Sequence, residues 1–319
     1  MEQLLAACAC LRATEPKDYV YGLLGIHQRG QGTIDQLLMP DYSRPMQDVF
    51  RDATQYLLEI RGYTRTWLWV YWDDGAQLLN PNRTSWAIDW SHLRAAESMS
   101  LHLRGFNAGC QGALAPALRF AEADEDVVFV KGLAHDKVVD TTSTLQVRSE
   151  MAWLEECFVK VRAGCSANET EALLSTVLTA FDKGRSVPLD QRLQACAAFS
   201  RTVSFTHELF SDTATCNDSD QSTVLAQKFF EAWIRTCSNH RLCTMSDGRV
   251  GIGPPIATTG DIVAVFRGFH APYVLRPIGQ AGRQYKIVGA CYVSGDVMQG
   301  DVMRQHSASG KPDEVFWIR

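Results

Sequence analysis

The stretch GDIVAVFRGFHAPYVLRP, residues 260–277, decides the fold class of this chain. It contains two short runs, residues 261–266 and 273–277, that are rich in β-branched and aromatic side chains and are separated by Gly and Pro, as neighbouring β-strands are. The Gly-Asp pair before the first run is typical of a tight turn. Similar runs recur from residue 239 to the C-terminus. Their spacing predicts a small, strongly curved sheet or an SH3-like barrel.

The rest of the chain divides into three further segments. Apolar stripes at helical spacing, with N-capping residues and early prolines, predict a helical segment over residues 1–64. Residues 65–145 are aromatic-rich and predict a β segment, residues 146–238 return to helical spacing, and residues 239–319 form the C-terminal β segment. Helical segments packed around a mixed or antiparallel β core define an α+β fold. We expect one compact unit, because each β segment is too short and apolar to stand alone.

Composition excludes several classes of protein. The 319 residues include 46% hydrophobic and 21% charged residues, which is ordinary for a soluble globular protein. A net charge of −5 and the lack of a basic run argue against nucleic acid binding. No apolar run reaches the roughly 18 residues of a membrane span. The N-terminal stretch lacks the features of a signal peptide, so we expect a cytoplasmic protein whose ten cysteines are reduced thiols.

Five of the eight tryptophans lie in two runs, TWLWVYW (residues 66–72) and TSWAIDWS (residues 84–91). The first run is apolar on both faces and predicts a buried strand. The second, taken as a strand, would place its two indoles on one face. Two interpretations stay open: the aromatic side chains are core residues, or they form the wall of an apolar small-molecule cleft between the two runs. For the second interpretation the candidate substrate-binding residues are Trp67, Trp69, Tyr71, Trp72, Trp86, Trp90 and Tyr292.

Four polar residues are candidate catalytic groups for such a cleft. Asp89 lies between two indoles and suits a polarising role, while His92 follows it closely and suits acid or base catalysis. His270 lies in a loop between two predicted strands, where functional residues concentrate. Arg276 could hold an anionic substrate oxygen with its planar fork, although an arginine in a strand is more commonly paired with a structural carboxylate. Each histidine taken singly is more commonly a core or surface residue than a catalytic one.

The sequence carries no motif for an organic cofactor or a metal. It lacks the glycine-rich loops that hold nucleotides and the elbow that presents a nucleophilic serine. Cys237, His240 and Cys243 are spaced like zinc ligands, but no second Cys/His pair completes a four-ligand site. We therefore expect neither a cofactor nor a metal.

Four blocks of the sequence resemble a known family. They are EPKDYVYGLLGI (residues 15–26), MPDYSRPMQDVFRDATQYLL (residues 39–58), TSWAIDWS and a long C-terminal block over residues 240–301. In this order they are similar to the fungal heterokaryon incompatibility (HET) domain proteins, in which they follow a TIR-like core. The hallmark strand and helix of that core are absent from this sequence. The resemblance therefore implies an accessory region without the cell-death or NAD chemistry of the core.

Two hypotheses for function follow. The first is a cofactor-independent, pericyclase-like isomerase or cyclase of fungal secondary metabolism, which acts on an apolar small-molecule substrate by holding a reactive conformer. The second is a non-catalytic interaction or regulatory protein of heterokaryon incompatibility, that is, of nonself recognition. An enclosed aromatic cavity would favour the first, and an exposed apolar patch would favour the second. Neither hypothesis excludes a homo-oligomer.

Overall fold

The computed structural model describes residues 12–27, 35–81, 83–93, 105–146, 150–162, 237–279 and 283–319, together with Leu103, Glu231 and Ile234. These parts contain five α-helices and nine strands, so the predicted α+β fold is confirmed. The helices are α1 (Asp18–His27), α2 (Met46–Gln55), α3 (Gly75–Leu78), α4 (Glu150–Arg162) and α5 (Asp301–Ala308). A π-helical turn, Tyr56–Ile60, extends α2, and Gly62 follows at a φ of 64°.

The strands are β1 (Leu118–Phe120), β2 (Val128–Thr141), β3 (Arg241–Met245), β4 (Val250–Gly253), β5 (Ile262–Phe266), β6 (Pro272–Ile278), β7 (Gln284–Ala290), β8 (Tyr292–Val293) and β9 (Glu314–Ile318). Five of them form a closed ring of pairs: β5 with β6, β6 with β7, β7 with β9, β9 with β2, and β2 with β5. The β7–β9 pair is parallel and the other four are antiparallel. Every member of this ring has two neighbours in it. One member, β2, comes from outside residues 239–319, over which the sequence predicted a strongly curved sheet or an SH3-like barrel.

Strand β2 joins the ring to a second group of strands. Its register shifts at residues 134–136 against β5 and again at residues 138–140 against β3. Such bulges bend a strand, and beyond them the pairing continues from β2 through β3 and β4 to β8. Gly132 lies inside β2, where an added Cβ would be 2.3 Å from the Val265 carbonyl oxygen. Only glycine fits so close an approach of two backbones.

The run at residues 66–72 is not a strand, so that prediction was wrong. Thr64–Trp69 forms a 3-10 helix, and extended backbone follows at Val70. The Trp67 indole packs on the ring, with its centroid 5.8 Å from Phe266 and 5.9 Å from Tyr273. A short run that is apolar all round has no periodicity that separates a strand from a buried helical turn. Contacts with the side chains of β5 and β6 decided the outcome.

The run TSWAIDWS is not a strand either. Asp89 accepts a hydrogen bond from the Ser91 N–H at 3.1 Å and caps a 3-10 helix, Trp90–His92. The Ile88 N–H donates to Thr54 Oγ1 of α2 at 3.1 Å, rather than to a neighbouring strand. Local side-chain bonding of this kind competes with strand pairing and here replaces it. The predicted alternation of burial survives, because Trp86, Ile88 and Trp90 are all buried.

One hydrophobic cluster contains side chains from α1, α2, both aromatic runs, α4 and the strands of the ring. The helices predicted before residue 12 and between residues 163 and 230 lie outside the described residues. The division into four segments therefore stays a prediction. Among the described residues, no helix is long and apolar enough to cross a membrane.

Candidate functional site

The tryptophans of the two aromatic runs are core residues. Their exposed fractions do not exceed 6%, and they are Trp67, Trp69, Trp72, Trp86 and Trp90. The Trp86 indole donates to the Asp126 carbonyl oxygen at 2.9 Å and packs edge-on against Phe120. Tyr292 is buried too, beside Phe106. Neither of the two clefts described below is lined by an indole, so the burial favours the core interpretation of these residues over the cleft interpretation.

An open cleft of about 530 Å3, which we name the Asp89 cleft, brings two of the predicted catalytic residues together. It is lined by Pro45, Met46, Gln47, Asp48, Gln77, Asn80, Arg83, Asp89, Ser91 and His92. Arg83 lies across it, with Nη2 3.3 Å from Asp89 Oδ2 and the guanidinium 4.9 Å from the centre of the Trp72 ring. The cleft therefore joins the start of α2 to the end of the second aromatic run.

Ser91, His92 and Asp89 do not form a nucleophilic relay. Ser91 Oγ donates to Asp89, and His92 Nδ1 lies 3.0 Å from Ser91 Oγ and 3.3 Å from Asp89 Oδ2. In a relay the imidazole bridges the hydroxyl and the carboxylate through two different nitrogens. Burial would raise the pKa of Asp89, but the Ser91 hydrogen bonds and the nearby His92 outweigh it and lower that pKa. An ionised carboxylate that caps a 3-10 helix is a structural element.

His270 lies apart from the Asp89 cleft, in the core. Arg65 Nε donates to His270 Nε2 at 2.9 Å, and Nδ1 lies 2.9 Å from the Phe106 carbonyl oxygen. Because arginine only donates, Nε2 must accept and Nδ1 must carry the proton. Burial lowers the pKa of His270, and Arg65 lowers it further, against the Phe106 hydrogen bond. Both ring nitrogens are thus engaged in a buried, neutral imidazole.

Arg276 is committed to a structural carboxylate. Its Nε and Nη2 each lie 2.9 Å from one oxygen of Asp261, whose exposed fraction is 1%. The Thr258 N–H donates to the same carboxylate at 2.9 Å. A bidentate pair of this kind engages one edge of the guanidinium, and Nη2 also donates to the Ile256 carbonyl oxygen at 2.7 Å. Of the two interpretations of Arg276, the pairing favours the structural one.

A second open cleft, of about 410 Å3, contains the arginine that sequence reasoning missed. We name it the arginine cleft, and it is lined by Tyr71, Asp73, Thr144, Gln146, Asn239, Arg241, Pro255, Ile256, Ala257 and Thr258. Burial, and after it the neighbouring Asp73, raises the pKa of the Tyr71 phenol. Among the residues that line this cleft, Tyr71 is the one predicted from the sequence as a substrate-binding residue. Arg241 stands at the start of a strand without any motif, and only the fold brings it close to the aromatic run.

The spaced residues Cys237, His240 and Cys243 do not converge. In the described part of the chain, no group of three His, Cys, Asp or Glu side chains lies close enough together to hold a metal ion. His240 Nδ1 faces the Ser238 carbonyl oxygen at 2.7 Å. Burial raises the pKa of Cys243 to about 12 and that of Cys237 well above its ordinary value. Both thiols therefore stay protonated and unreactive.

Comparison with known proteins identifies the family of the C-terminal part. Residues 213–310 match the family model of the Het-6 beta-barrel domain. This range includes strands β3 to β8 and most of the ring. The resemblance predicted from the sequence is thereby confirmed for this region: residues 213–310 are similar to the Het-6 beta-barrel domain, and through them the chain resembles heterokaryon incompatibility proteins.

The chain is also similar to a named protein over a short region. The chain is 34% identical over 70 residues to "Heterokaryon incompatibility protein 6, OR allele" of Neurospora crassa. The match covers 22% of this chain and about a tenth (10%) of the length of the Neurospora protein. No solved structure matches the chain.

Proposed function

We propose that this chain is a non-catalytic recognition module that binds a protein partner of a heterokaryon incompatibility system in the cytoplasm. Two findings support the proposal. The first is the match of the C-terminal strands to a Het-6 beta-barrel domain. The second, which carries it, is an exposed apolar patch on the outside of the ring. We name this patch, formed by Phe129 on β2 with Val315 and Trp317 on β9, the β9 patch.

The β9 patch is built by strand alternation. Val315 and Trp317 point to the same side of β9, and their exposed fractions are 44% and 37%. Phe129 is the register partner of Trp317, and the two rings meet edge to face at 5.4 Å. The Arg119 guanidinium lies 5.2 Å from the centre of the Phe129 ring, on the neighbouring strand β1. Together they form an aromatic surface with a cationic rim.

This composition is typical of protein interfaces. Tryptophan and arginine are the residue types most enriched among interface residues that carry binding energy. Burying the exposed 37% of Trp317 against a partner would remove about 90 Å2 of mostly apolar surface and contribute about 2 kcal/mol. That contribution corresponds to a factor of about 30 in affinity. The partner it fits is a protein surface with an apolar pocket and acidic neighbours.

The test is a direct binding measurement with purified proteins. The full chain is titrated with a full-length HET-domain protein from the same fungus, and the Trp317→Ala variant is compared with wild type. We expect the variant to bind at least about tenfold more weakly. Val159→Ser is the matched control, because Val159 is 70% exposed on α4 and lies outside the patch. Binding that is equally strong in the Trp317 variant, or absent in wild type, contradicts the proposal.

A cofactor-independent isomerase or cyclase is the second candidate, and the arginine cleft favours it. Its volume lies within the usual range of small-molecule sites, and it combines the Tyr71 ring with the Arg241 guanidinium. In this role Arg241 would orient a substrate oxygen and Tyr71 would donate a hydrogen bond. The test is incubation with oxygenated polyketide or terpenoid precursors, with product detection by mass spectrometry. Turnover that is lost in Tyr71→Phe and kept in Trp317→Ala would favour this candidate over the recognition module.

A further inference from the structure

We propose that the arginine cleft binds the oxyanion of a small ligand, a carboxylate or a phosphate, through Arg241. The proposal goes beyond the protein-binding role, since the arginine cleft and the β9 patch share no residue. It rests on the unusual bonding of one guanidinium and on the polar groups that surround it.

The Arg241 guanidinium is half-buried, and the acceptors that hold it within the described part of the chain are all neutral. Nη1 donates to the Ala257 carbonyl oxygen at 2.9 Å, and Nη2 donates to Thr144 Oγ1 at 3.0 Å. Nη1 also lies 3.4 Å from Thr141 Oγ1. Nε is buried and has no hydrogen-bond partner among the described residues. None of the ion pairs found in the described ranges includes Arg241, and burial lowers its pKa.

Two other partly buried arginines near the C-terminal strands have carboxylate partners. Arg276 is paired with both oxygens of Asp261, and Arg267 with both oxygens of Asp313 at 2.5 and 2.8 Å. Removing a guanidinium from water without a counter-ion is costly. Among the described residues, Glu156 and Asp261 attract the Arg241 guanidinium from a distance, but none of the ion pairs includes it. A carboxylate or phosphate in direct contact with Arg241 is therefore expected to come from a ligand. Two neutral acceptors already fix the plane of its fork, which is pre-organised for an oxyanion.

The rest of the cleft supplies neutral donors and one repulsive group. Tyr71 and Asn239 both line it, and neither the Tyr71 hydroxyl nor the Asn239 side-chain amide hydrogen-bonds another described residue. Asn239 is held at a φ of 57°, with its exposed side chain at the cleft. The Asp73 carboxylate also lines the cleft and repels a second negative charge. The arrangement therefore favours a ligand with one oxyanion at Arg241 and a hydroxyl or amino group near Asp73.

The experiment uses the full chain with two probes, inorganic phosphate and acetate, each against sodium chloride at equal ionic strength. Saturable binding is followed by the thermal unfolding midpoint and by ligand-observed NMR. We expect saturation with one or both probes, and the stronger probe identifies the ligand class. Binding should weaken at least about tenfold in Arg241→Met. It should weaken less in Arg241→Lys, which keeps the charge but loses the planar fork.

Arg249→Met is the matched control. Arg249 is also partly buried, but it is paired with Asp247 and Asp296 and lies outside the cleft, so its loss should leave anion binding unchanged. If Arg241→Met fails to fold, Tyr71→Phe and Arg241→Lys carry the test, because both keep most of the packing. Equal affinity in these variants and wild type overturns the proposal. So does the absence of saturable binding of both probes to wild type. Neither result affects the Trp317 binding experiment.

Discussion

Lys286 makes the stability of this protein depend on pH in a direction that can be worked out from the structure. It lies on β7 with 2% of its surface exposed, and its Nζ donates to the Arg83 carbonyl oxygen at 2.6 Å. Burial, with a smaller contribution from Arg319 and against the attraction of Asp126, lowers the pKa of Lys286 from 10.5 to about 8. The folded state thus holds the charged ammonium at a cost that the unfolded chain does not have.

The sign of the effect follows from proton linkage. Because the folded pKa lies below the unfolded one, the folded state binds fewer protons between pH 8 and pH 10.5, and the free energy of unfolding rises with pH across that window. The full cost, about 3 kcal/mol, is present below the folded pKa and disappears above the unfolded pKa. Lys286→Met removes the titrating group, although it leaves the Arg83 carbonyl oxygen without its donor. The difference in stability between variant and wild type should therefore shift by about 2–3 kcal/mol from pH 7 to pH 10.

The assay is urea denaturation of both proteins at four pH values from 7 to 10, followed by fluorescence of the buried tryptophans. Taking the difference between variant and wild type cancels the other groups that titrate in this range. Lys311→Met is the control, because Lys311 is exposed and should show no pH-dependent difference. A Lys286→Met difference that stays constant from pH 7 to pH 10 refutes the reasoning. It would mean that the ammonium is solvated in the folded state.

Two further predictions concern the core polar groups. Burial lowers the pKa of His270. The buried neutral imidazole therefore stabilises the fold above its unfolded pKa, and this stabilisation is lost as the pH falls through the folded pKa. His270→Gln should flatten the fall in the free energy of unfolding between pH 7 and pH 5, and an unchanged slope would exclude this role. Asp261→Asn should lower that free energy by about 3 kcal/mol, because it breaks the buried ion pair with Arg276. Chemical denaturation of wild type, Asp261→Asn, Arg276→Met and the double variant gives the coupling energy of the ion pair in a double-mutant cycle. Losses in the free energy of unfolding that are strictly additive would argue against the pair.

The run TSWAIDWS is not a strand, but its hydrogen bonds hold several neighbouring elements together. Ser85 Oγ donates to the Arg319 carbonyl oxygen and accepts from the Ile287 N–H, so it links the end of β9 to β7. Thr84 Oγ1 donates to Asp126, and Ile88 reaches α2. The segment therefore connects the helix, the turn before β2 and the ring. These contacts give the segment a structural role.

Much of the fold follows from the sequence alone. Local patterns decide the strands over residues 261–266 and 273–277 and the helix that ends near Gly62. β-branched runs between turn residues, apolar stripes at helical spacing and large apolar side chains act over a few neighbouring residues. These patterns indicate a strand or a helix wherever the segment lies in the fold. The α+β class follows from the order of these segments.

Only the tertiary structure decided the shape of the aromatic runs, the closure of the ring and the two clefts. The run at residues 66–72 is apolar on all sides, so its conformation depends on the side chains of β5 and β6 that surround it. The pairing state of Arg276 and Arg241 could not be read from the sequence either. Asp261 forms an ion pair with the first, and no carboxylate of the described chain pairs with the second. The fold places Tyr71, and no paired carboxylate, in the same cleft as Arg241. Charge pairing depends on distances of a few ångströms across the fold, and no local pattern encodes those distances.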